Sequence, residues 1–257
     1  MGLIEHDLFD GKIDKVAIAI ERLKTFEPKE GYYLAFSGGK DSVVIKALAD
    51  MSGVKYDAHY SNTTIDPPEL IYFIRKQHKD VKIEHPEKPL LKVLETKGFP
   101  LRQARWCCAL YKENGGDGRF VMTGVRKAES NKRSKRKMVE SCYKSSGKQY
   151  MNVIIDWTAR EVWEFIKSRD LPYCELYDKG FKRIGCLMCP MASKRERERE
   201  CEAYPGYKKA FIRSFNKLYA HRGHLPSFDR WHNGEEMFNW WIKGSGKGNP
   251  DQTIMFE

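Results

Sequence analysis

Residues 32–50, YYLAFSGGKDSVVIKALAD, are the feature that most restricts the fold of this chain. Five residues of strand character run directly into Ser-Gly-Gly-Lys-Asp-Ser, and apolar residues with helical spacing follow. Gly38 and Gly39 allow positive φ angles and carry no Cβ, so backbone N–H groups can point at an anion where the helix begins. Ser37 and Ser42 add hydroxyl donors, and Lys40 adds a charge. The stretch therefore predicts a phosphate-binding loop, with a spacing that differs from the Walker A motif.

Strand patterns alternate with helix patterns along the chain, which is typical of a parallel sheet with helices on both faces. Strands are predicted at 32–36, 54–62, 81–86, 119–125 and 152–157, and helices at 13–25, 41–51, 68–79, 89–98 and 158–168. Longer helical stretches follow at 193–221 and 229–243. We therefore expect a nucleotide-binding α/β domain over 1–177, a helical subdomain over 178–243 and a flexible tail over 244–257.

Composition indicates a folded protein with an anionic partner. Of 257 residues 41% are hydrophobic, and lysine plus arginine outnumber the acids 46 to 35, for a net charge of +11. Such a charge favours nucleic acid or another anion, although a solvated basic surface is the simpler explanation. No apolar run approaches the ~18 residues of a membrane span, and no signal peptide is evident, so we expect a cytoplasmic protein without a membrane partner.

Two pairs of cysteines indicate a metal site. They are Cys107-Cys108 and Cys186-Leu-Met-Cys189. Two cysteines separated by two residues in a turn can bind one metal, whereas two adjacent cysteines cannot both point into a core. Four thiolates suit zinc or an iron–sulfur cluster, and their spacing alone does not decide between the two.

Two charged segments and one pair of tryptophans complete the pattern. GVRKAESNKRSKRK has seven basic residues between Arg126 and Lys137, and is either a solvated loop or a site where Arg126, Glu129 and Arg133 approach an anionic ligand. The alternating charges of SKRERERE, from Ser193, predict a solvated helix face. Trp240-Trp241 is interpreted as core in preference to a base-stacking platform.

SGGKDS resembles the PP-loop of the ATP pyrophosphatases, and the resemblance extends to Pro190 in the pattern of the phosphoadenosine phosphosulfate (PAPS) reductase family. YSNTTIDPPEL, RWCC, TGVRKAES and RIGCLMC occur there in the same order. The resemblance implies an adenine nucleotide α-hydrolase-like fold, a doubly wound parallel sheet with a C-terminal helical subdomain. It implies catalytic roles for Ser37, Lys40, Asp41 and Arg126. It implies nucleotide binding by Ser37, Gly38, Gly39, Lys40, Asp41, Ser42, Asn62, Thr63, Gly124, Arg126, Glu129 and Arg133.

The resemblance also implies cofactors. Cys-Cys followed by Cys-x-x-Cys is similar to the [4Fe–4S] site of adenylylsulfate reductases, so Cys107, Cys108, Cys186 and Cys189 are the expected ligands of a cluster, with zinc as the alternative. ATP, or adenylylsulfate (APS) or PAPS, is the expected nucleotide. Mg²⁺ would neutralise its phosphates, and Asp41 would orient either that metal or the loop.

Two departures from the reductases favour ATP chemistry. Thiol-using sulfonucleotide reductases carry a nucleophilic cysteine in a C-terminal Glu-Cys-Gly-Leu-His motif, whereas this sequence has no cysteine after Cys201. Their loops also tend to be degenerate, and SGGKDS is the form associated with ATP cleavage. The first hypothesis is therefore ATP-dependent adenylation of an acceptor, such as a nucleic acid, coupled to sulfur transfer from a donor protein.

Two further hypotheses stay open. A sulfonucleotide reductase would need an external thiol, or Cys142 or Cys201 as nucleophile. A non-catalytic nucleotide-binding protein would serve a partner in a DNA-associated complex. QTIMF, residues 252–256, resembles the peptide that docks into the bacterial sliding clamp, which adds the clamp as a candidate partner.

Overall fold

The computed structural model describes residues 2–6, 11–143 and 147–243. They form two compact units. The first comprises the described parts of Met1–Ser61 and Asn114–Ile184 together with Pro68–Glu84, and the second comprises Asn62–Pro67, His85–Glu113 and the described part of Gly185–Glu257. The domain boundary near residue 178 stays a prediction. The tail over 244–257, with its clamp-like QTIMF sequence, lies outside the described residues.

Eight strands belong to the described residues, all in the first unit. In chain order they are β1 (Ile4–His6), β2 (Lys12–Asp14), β3 (Tyr32–Ala35), β4 (Tyr56–Ser61), β5 (Lys82–Glu84), β6 (Phe120–Thr123), β7 (Val139–Ser141) and β8 (Gln149–Asn152). β1 and β2 form a separate antiparallel pair. The other six form one sheet in the order β5-β4-β3-β6-β8-β7.

Within this sheet every neighbouring pair is parallel except β7 and β8, which are antiparallel. The predicted parallel α/β sheet is therefore confirmed, with an antiparallel strand added at one edge. β3 lies between β4 and β6, with Tyr32 opposite Tyr56 and Tyr33 opposite Val121. The order of the strands reverses at β3. In a doubly wound sheet this point, beyond the carboxyl ends of the strands, is where ligands bind.

The α-helices of the described residues are, in chain order, α1 (Lys15–Thr25), α2 (Lys40–Ser52), α3 (Pro68–Gln77), α4 (Leu90–Lys97), α5 (Trp106–Tyr111), α6 (Asn131–Ser134), α7 (Ala159–Ser168), α8 (Lys194–Ala203), α9 (Pro205–Arg222) and α10 (Gly234–Lys243). Short 3₁₀ turns lie at Lys127–Glu129 and Pro226–Phe228. None of these helices combines the length and apolar character needed to cross a membrane.

The core of the first unit joins apolar faces of its helices to the sheet. Fully buried side chains include Leu23 of α1, Leu48 of α2 and Phe165 of α7, which pack in one cluster with Leu34 and Met122 of the central strands. Helical spacing of the apolar residues places each of these side chains on the inward face of its helix. The α/β fold follows from burying these faces against the sheet.

Three predicted elements differ in the structure. The strand predicted at 152–157 ends at Asn152, and Val153 and Ile154 are buried in a turn. A short apolar run does not distinguish a strand from such a buried turn. The helix predicted over 193–221 is divided at Pro205, which begins α9. The segment after Arg126, predicted only as a loop, contains a 3₁₀ turn, α6 and β7.

The second unit is helical and has its own aromatic core. α4, α9 and α10 contribute to one buried cluster with Phe99, Phe215 and Trp241. The Trp241 indole donates to the Pro100 carbonyl at 2.7 Å, so its polar atom is satisfied inside the core. The prediction of a helical C-terminal region is confirmed, and Trp241 belongs to its core.

The solvated face predicted for α8 is wrong at two positions. Arg197 and Glu200 are 6% and 8% exposed, respectively. The sequence of α8 gives no sign of a buried face, because its charges alternate and its only apolar residues are Cys201 and Ala203. Buried charges need partners. Glu200 accepts a hydrogen bond from the Met188 amide, and Arg197 donates to the Trp241 carbonyl at 2.6 Å.

Candidate functional site

The Ser-Gly-Gly-Lys-Asp-Ser loop connects β3 to α2, as the sequence predicts. Gly39 is the N-cap residue of α2 and has no side chain that could cap the helix, and the first amide of α2, that of Lys40, donates instead to the Tyr177 hydroxyl at 2.9 Å. The Ser42 hydroxyl donates to the Gly39 carbonyl at 2.8 Å, and Ser37 donates to Ser42 at 3.2 Å. These bonds fold the two serines over the loop. A helix N-terminus that begins at a glycine in this way can accept an anion.

Glycine is present at positions 38 and 39 for different structural reasons. Gly38 has φ of +69°, and a Cβ there would lie 2.6 Å from Leu70 Cδ1. Gly39 has an ordinary φ, and its nearest contacts would be 3.4 Å and 3.5 Å, to Ser37 Oγ and the Tyr177 hydroxyl. Gly38 is therefore required by the fold. Gly39 is not, and its missing Cβ keeps space open beside the loop.

Asp41 links the loop to the strand on its other side. The Arg126 guanidinium donates through Nε to Asp41 Oδ1 at 2.7 Å, and Lys40 Nζ lies 3.1 Å from Asp41 Oδ2. Gly124 permits this approach, because a Cβ there would lie 2.9 Å from Asp41 Cβ. One carboxylate thus orients two cations at the phosphate loop.

Arg126 is held from a second direction. Its side chain is only 3% exposed, and its amide donates to Glu129 Oε2 at 3.0 Å. Glu129 also forms a salt bridge with Arg133. The charges alternate from Lys40 through Asp41, Arg126 and Glu129 to Arg133. Because the three cations outnumber the two carboxylates, this chain of charges keeps a net positive charge beside the loop.

Tyr177 is a loop neighbour that the sequence analysis missed. Its hydroxyl accepts a hydrogen bond from the Lys40 amide at 2.9 Å, and the Lys40 ammonium lies 5.8 Å from its ring centroid. Burial raises the pKa of this hydroxyl, so it stays neutral. No glycine or charge pattern marks the residue. Its position next to the loop depends on the fold of residues 171–180.

Tyr177 also forms part of an aromatic wall. Its ring meets that of Trp163 edge to face at 5.0 Å, and Tyr173 meets Trp163 at 5.3 Å. The wall borders a cavity of about 690 Å³ that is also lined by Arg160 and Lys167. Glu164 and Asp178 also line this cavity, so the cavity beside Tyr177 has aromatic, basic and acidic sides.

Asn62 and Thr63, predicted as nucleotide-binding residues, belong to the second unit. Asn62 Oδ1 accepts from the Thr64 amide at 2.7 Å, which closes a local turn. Thr63 donates through both its amide and its hydroxyl to Asp66 Oδ2, at 2.8 Å and 2.7 Å. Both side chains therefore shape the turn in which they lie, and their role towards a nucleotide stays a prediction.

The second unit contains all four predicted cysteine ligands. Cys107 and Cys108 lie in α5, and Cys186 and Cys189 lie in the turn before α8, which is tied to the Thr63 segment by the Leu187 amide donating to the Ile65 carbonyl at 2.9 Å. All four are free and half-buried. The turn is sharp, because Met188 has φ of +56°.

The four thiols interact with one another and with a lysine. A hydrogen bond with Cys107 lowers the pKa of Cys108 to about 6, and the same bond, together with burial, raises the pKa of Cys107. Burial raises the pKa of Cys186 to about 11, against the opposing attraction of Lys112. The pKa values of Cys107 and Cys108 thus differ because the two thiols share a hydrogen bond, whereas the pKa of Cys186 is raised mainly by burial.

In the described part of the chain, no three histidine, cysteine or carboxylate side chains converge on a point where they could hold one metal ion. A [4Fe–4S] cluster makes a different demand, because its cysteines bind four separate irons, while zinc ligands surround one ion. The four half-buried thiols within one unit are compatible with the cluster.

Comparison with known proteins identifies the class. The family model described as "Phosphoadenosine phosphosulfate reductase domain" matches residues 31–192, more than half of the chain. The chain therefore belongs to this family. A crystal structure of PAPS reductase from Candida auris, in a phosphate complex, matches 66% of this chain and 89% of its own with a TM-score of 0.51 and 22% identity. That match supports the α/β fold.

Two relatives illustrate the range of the family. An uncharacterized protein of Methanocaldococcus jannaschii is 34% identical over 212 residues, which are 77% of this chain and 51% of the relative. The adenosine 5′-phosphosulfate reductase of Staphylococcus epidermidis is 29% identical over 198 residues, 68% of this chain and 78% of the relative. The chain thus spans about half the length of the archaeal relative.

The two loop glycines give a matched test. Gly38→Ala should lower the free energy of unfolding by roughly 2 to 4 kcal/mol, because the new Cβ adds both left-handed backbone strain and a clash with Leu70. Gly39→Ala should change it by no more than about 0.5 kcal/mol. Urea unfolding of both variants measures the difference. Equal stability of the two variants would contradict the assigned loop geometry.

Proposed function

We propose that this chain binds an adenine nucleotide at the Ser-Gly-Gly-Lys-Asp-Ser loop and uses ATP to adenylate an acceptor, as the activating half of a sulfur-transfer reaction. The observation that carries the proposal is the pairing of Asp41 with both Lys40 and Arg126 beside the N-terminus of α2, where the N-cap residue is Gly39. This arrangement presents two fixed cations to a polyphosphate. Fixed charges of this kind stabilise charge that develops in a transition state.

The proposed step is a displacement at the α-phosphorus of ATP. A carbonyl oxygen of the acceptor attacks that phosphorus, the bond to the bridging oxygen breaks, and pyrophosphate leaves with the electron pair. Ser37, Ser42 and Lys40 would bind the leaving pyrophosphate, and Arg126 would stabilise the charge on the α-phosphate. Sulfur from a donor protein then replaces the activated oxygen, which leaves as part of AMP.

The loop does not fit a resident Mg²⁺ site. Both oxygens of Asp41 are occupied, one by Arg126 at 2.7 Å and the other by Lys40 at 3.1 Å. Asp41 therefore acts as a positioning residue for the two cations. Mg²⁺, which is bound mainly through substrate phosphates and water in many ATP sites, would come with the nucleotide.

The cysteines of the second unit would hold a [4Fe–4S] cluster. Cys107, Cys108, Cys186 and Cys189 are the proposed ligands, and a bound cluster would supply redox or sulfur-handling chemistry. Lys112, which lies against Cys186, would partly offset the charge of four thiolates.

A second candidate function is sulfonucleotide reduction, which the names of the reductase relatives favour. It needs a thiol nucleophile. Cys201 is a poor choice, because burial raises its pKa to about 11. Cys142 is half-buried in the first unit, which also contains the phosphate loop. Cys142 or an external thiol would therefore act in a reductase.

Pyrophosphate release tests the first candidate. Anaerobically purified protein should release pyrophosphate from ATP and Mg²⁺ when bulk tRNA or DNA is present as acceptor. Lys40→Met should lower the rate about 100-fold, because it removes a donor to the leaving group. Lys79→Met, which removes an exposed cation of the same unit, should leave the rate unchanged.

The same preparation separates the alternatives. Incubation with APS or PAPS and thioredoxin would release sulfite if the chain were a reductase. Loss of the release in Cys142→Ser would identify Cys142 as the nucleophile, and retained release would indicate an external thiol. Sulfite without pyrophosphate would refute the adenylation proposal. Nucleotide binding without either product would favour a non-catalytic role in a DNA-associated complex.

The cluster has an independent test in its metal content. We expect iron and acid-labile sulfide in the anaerobically purified chain, and a large loss of both in Cys108→Ser. Cys142→Ser, which changes a thiol of the first unit, should retain them. Zinc in place of iron, or equal iron content in the two variants, would contradict the proposed cluster.

A further inference from the structure

The second unit contains a basic pocket whose lining includes none of the four cysteines. Its volume is about 370 Å³, and its lining includes the cations Arg102, Lys194, Arg197 and Lys243. No carboxylate lines it among the described residues. The side chain of Trp240 forms another part of the wall and is half-buried. Four cations beside an indole are an unusual lining for an ordinary surface depression.

Arg197 is the strongest sign that the pocket takes a ligand. Its side chain is buried, its Nη1 donates to the Trp241 carbonyl at 2.6 Å, and its Nε has no hydrogen-bond partner. It forms no salt bridge within the described residues. Burying a charge without an opposite charge is costly. The buried Glu200 of the same helix attracts Arg197 but forms no salt bridge with it. An anion in the pocket would supply a charge in direct contact and the missing acceptor.

Arg102 is fixed beside Arg197 by the turn that follows Cys189. It donates through Nε to the Pro190 carbonyl at 2.8 Å and through Nη2 to the Met191 carbonyl at 3.2 Å. Burial lowers the pKa of Arg197, and the charge of Arg102 lowers it further. The fold thus holds two guanidinium groups near each other against their repulsion, which an anion between them would relieve.

The N-terminus of α8 does not supply this positive charge. Ser193 and Glu196 form a capping box there, in which Glu196 Oε2 accepts from the Ser193 amide at 2.9 Å. Lys194 lies 3.8 Å from Glu198, at an exposed and weak ion pair. The positive character of the pocket therefore comes from its side chains.

The aromatic side continues beyond the pocket. The Arg230 guanidinium lies 5.2 Å from the ring centroid of Trp231 and 5.9 Å from that of Trp240. Cations that follow a backbone, interleaved with aromatic rings, are typical of surfaces that bind single-stranded nucleic acid. The whole chain has a net charge of +11, which agrees with such a partner.

We propose that this pocket binds a backbone phosphate of a single-stranded nucleic acid, with the neighbouring nucleotide against Trp240. Arg102 and Arg197 form its fixed floor, and Lys194 and Lys243 form its exposed rim. The proposed site only binds nucleic acid and catalyses no reaction, so it can be tested separately from the ATP chemistry proposed for the first unit.

The test uses rim residues, because Arg197 is buried and its loss would endanger folding. Lys194→Gln/Lys243→Gln in the full chain should bind a fluorescent single-stranded oligonucleotide about tenfold more weakly. It should also lower the slope of log K against log salt by about 0.7, the value for one phosphate contact. Arg195→Gln/Lys209→Gln removes two exposed cations that do not line the pocket, and should match wild type. ATP affinity should be equal in all three proteins.

Three results would overturn the proposal. Equal losses in the two double variants would indicate general attraction to a basic surface. No loss in either would place the nucleic acid elsewhere. Competition by inorganic phosphate as strong, per phosphate, as that by unlabelled single strand would indicate a simple phosphate site. A loss confined to the pocket variant, with weak competition by inorganic phosphate, supports the proposed site even if pyrophosphate release fails.

Discussion

The ion pair between Asp41 and Arg126 is the interaction on which the first unit's site depends. It joins the first turn of α2 to the segment after β6, and these elements follow neighbouring strands of the sheet. A carboxylate with one cation on each oxygen cannot easily turn away, because both cations would lose their partner. The glycine at position 124 allows the approach, and Gly38 allows the loop its left-handed conformation. Sheet topology, loop geometry and local charge thus converge at one carboxylate.

The second unit differs from the first in the groups that its core supports. Its aromatic core supports two features, the four half-buried thiols and the buried charge of Arg197. Glu200, buried on the same helix as Arg197, is engaged by the Met188 amide, inside the Cys186–Cys189 turn. One buried charge of α8 therefore stabilises the cysteine turn, and the other is directed to the basic pocket. Helix α8, whose sequence predicts a solvated face, therefore contributes to both the cysteine turn and the basic pocket.

The sequence was sufficient to predict those parts of the structure that depend on neighbouring residues in the chain. A strand, two glycines and a helix have few arrangements, so the loop from Ser37 to Ser42 was predictable, and the α/β alternation followed from hydrophobic periodicity. Tyr177 and the floor of the basic pocket were not predictable. Their contacts join residues far apart in sequence, such as Lys40 with Tyr177 and Arg197 with Trp241. The burial of Arg197 depends on tertiary packing, which alternating charges do not reveal.

The affinity of the chain for ATP tests most directly whether the cations held by Asp41 form a nucleotide site. Circular dichroism should first show that wild type, Arg126→Gln and Arg75→Gln are folded. Isothermal titration then measures the ATP affinity of each protein. The comparison is between the loss of the buried Arg126 guanidinium and the loss of the exposed Arg75 guanidinium on α3. We predict that Arg126→Gln weakens binding at least about tenfold, or about 1.4 kcal/mol, and that Arg75→Gln binds like wild type. Equal ATP affinity in folded Arg126→Gln and wild type would contradict the assignment of the nucleotide site to this loop.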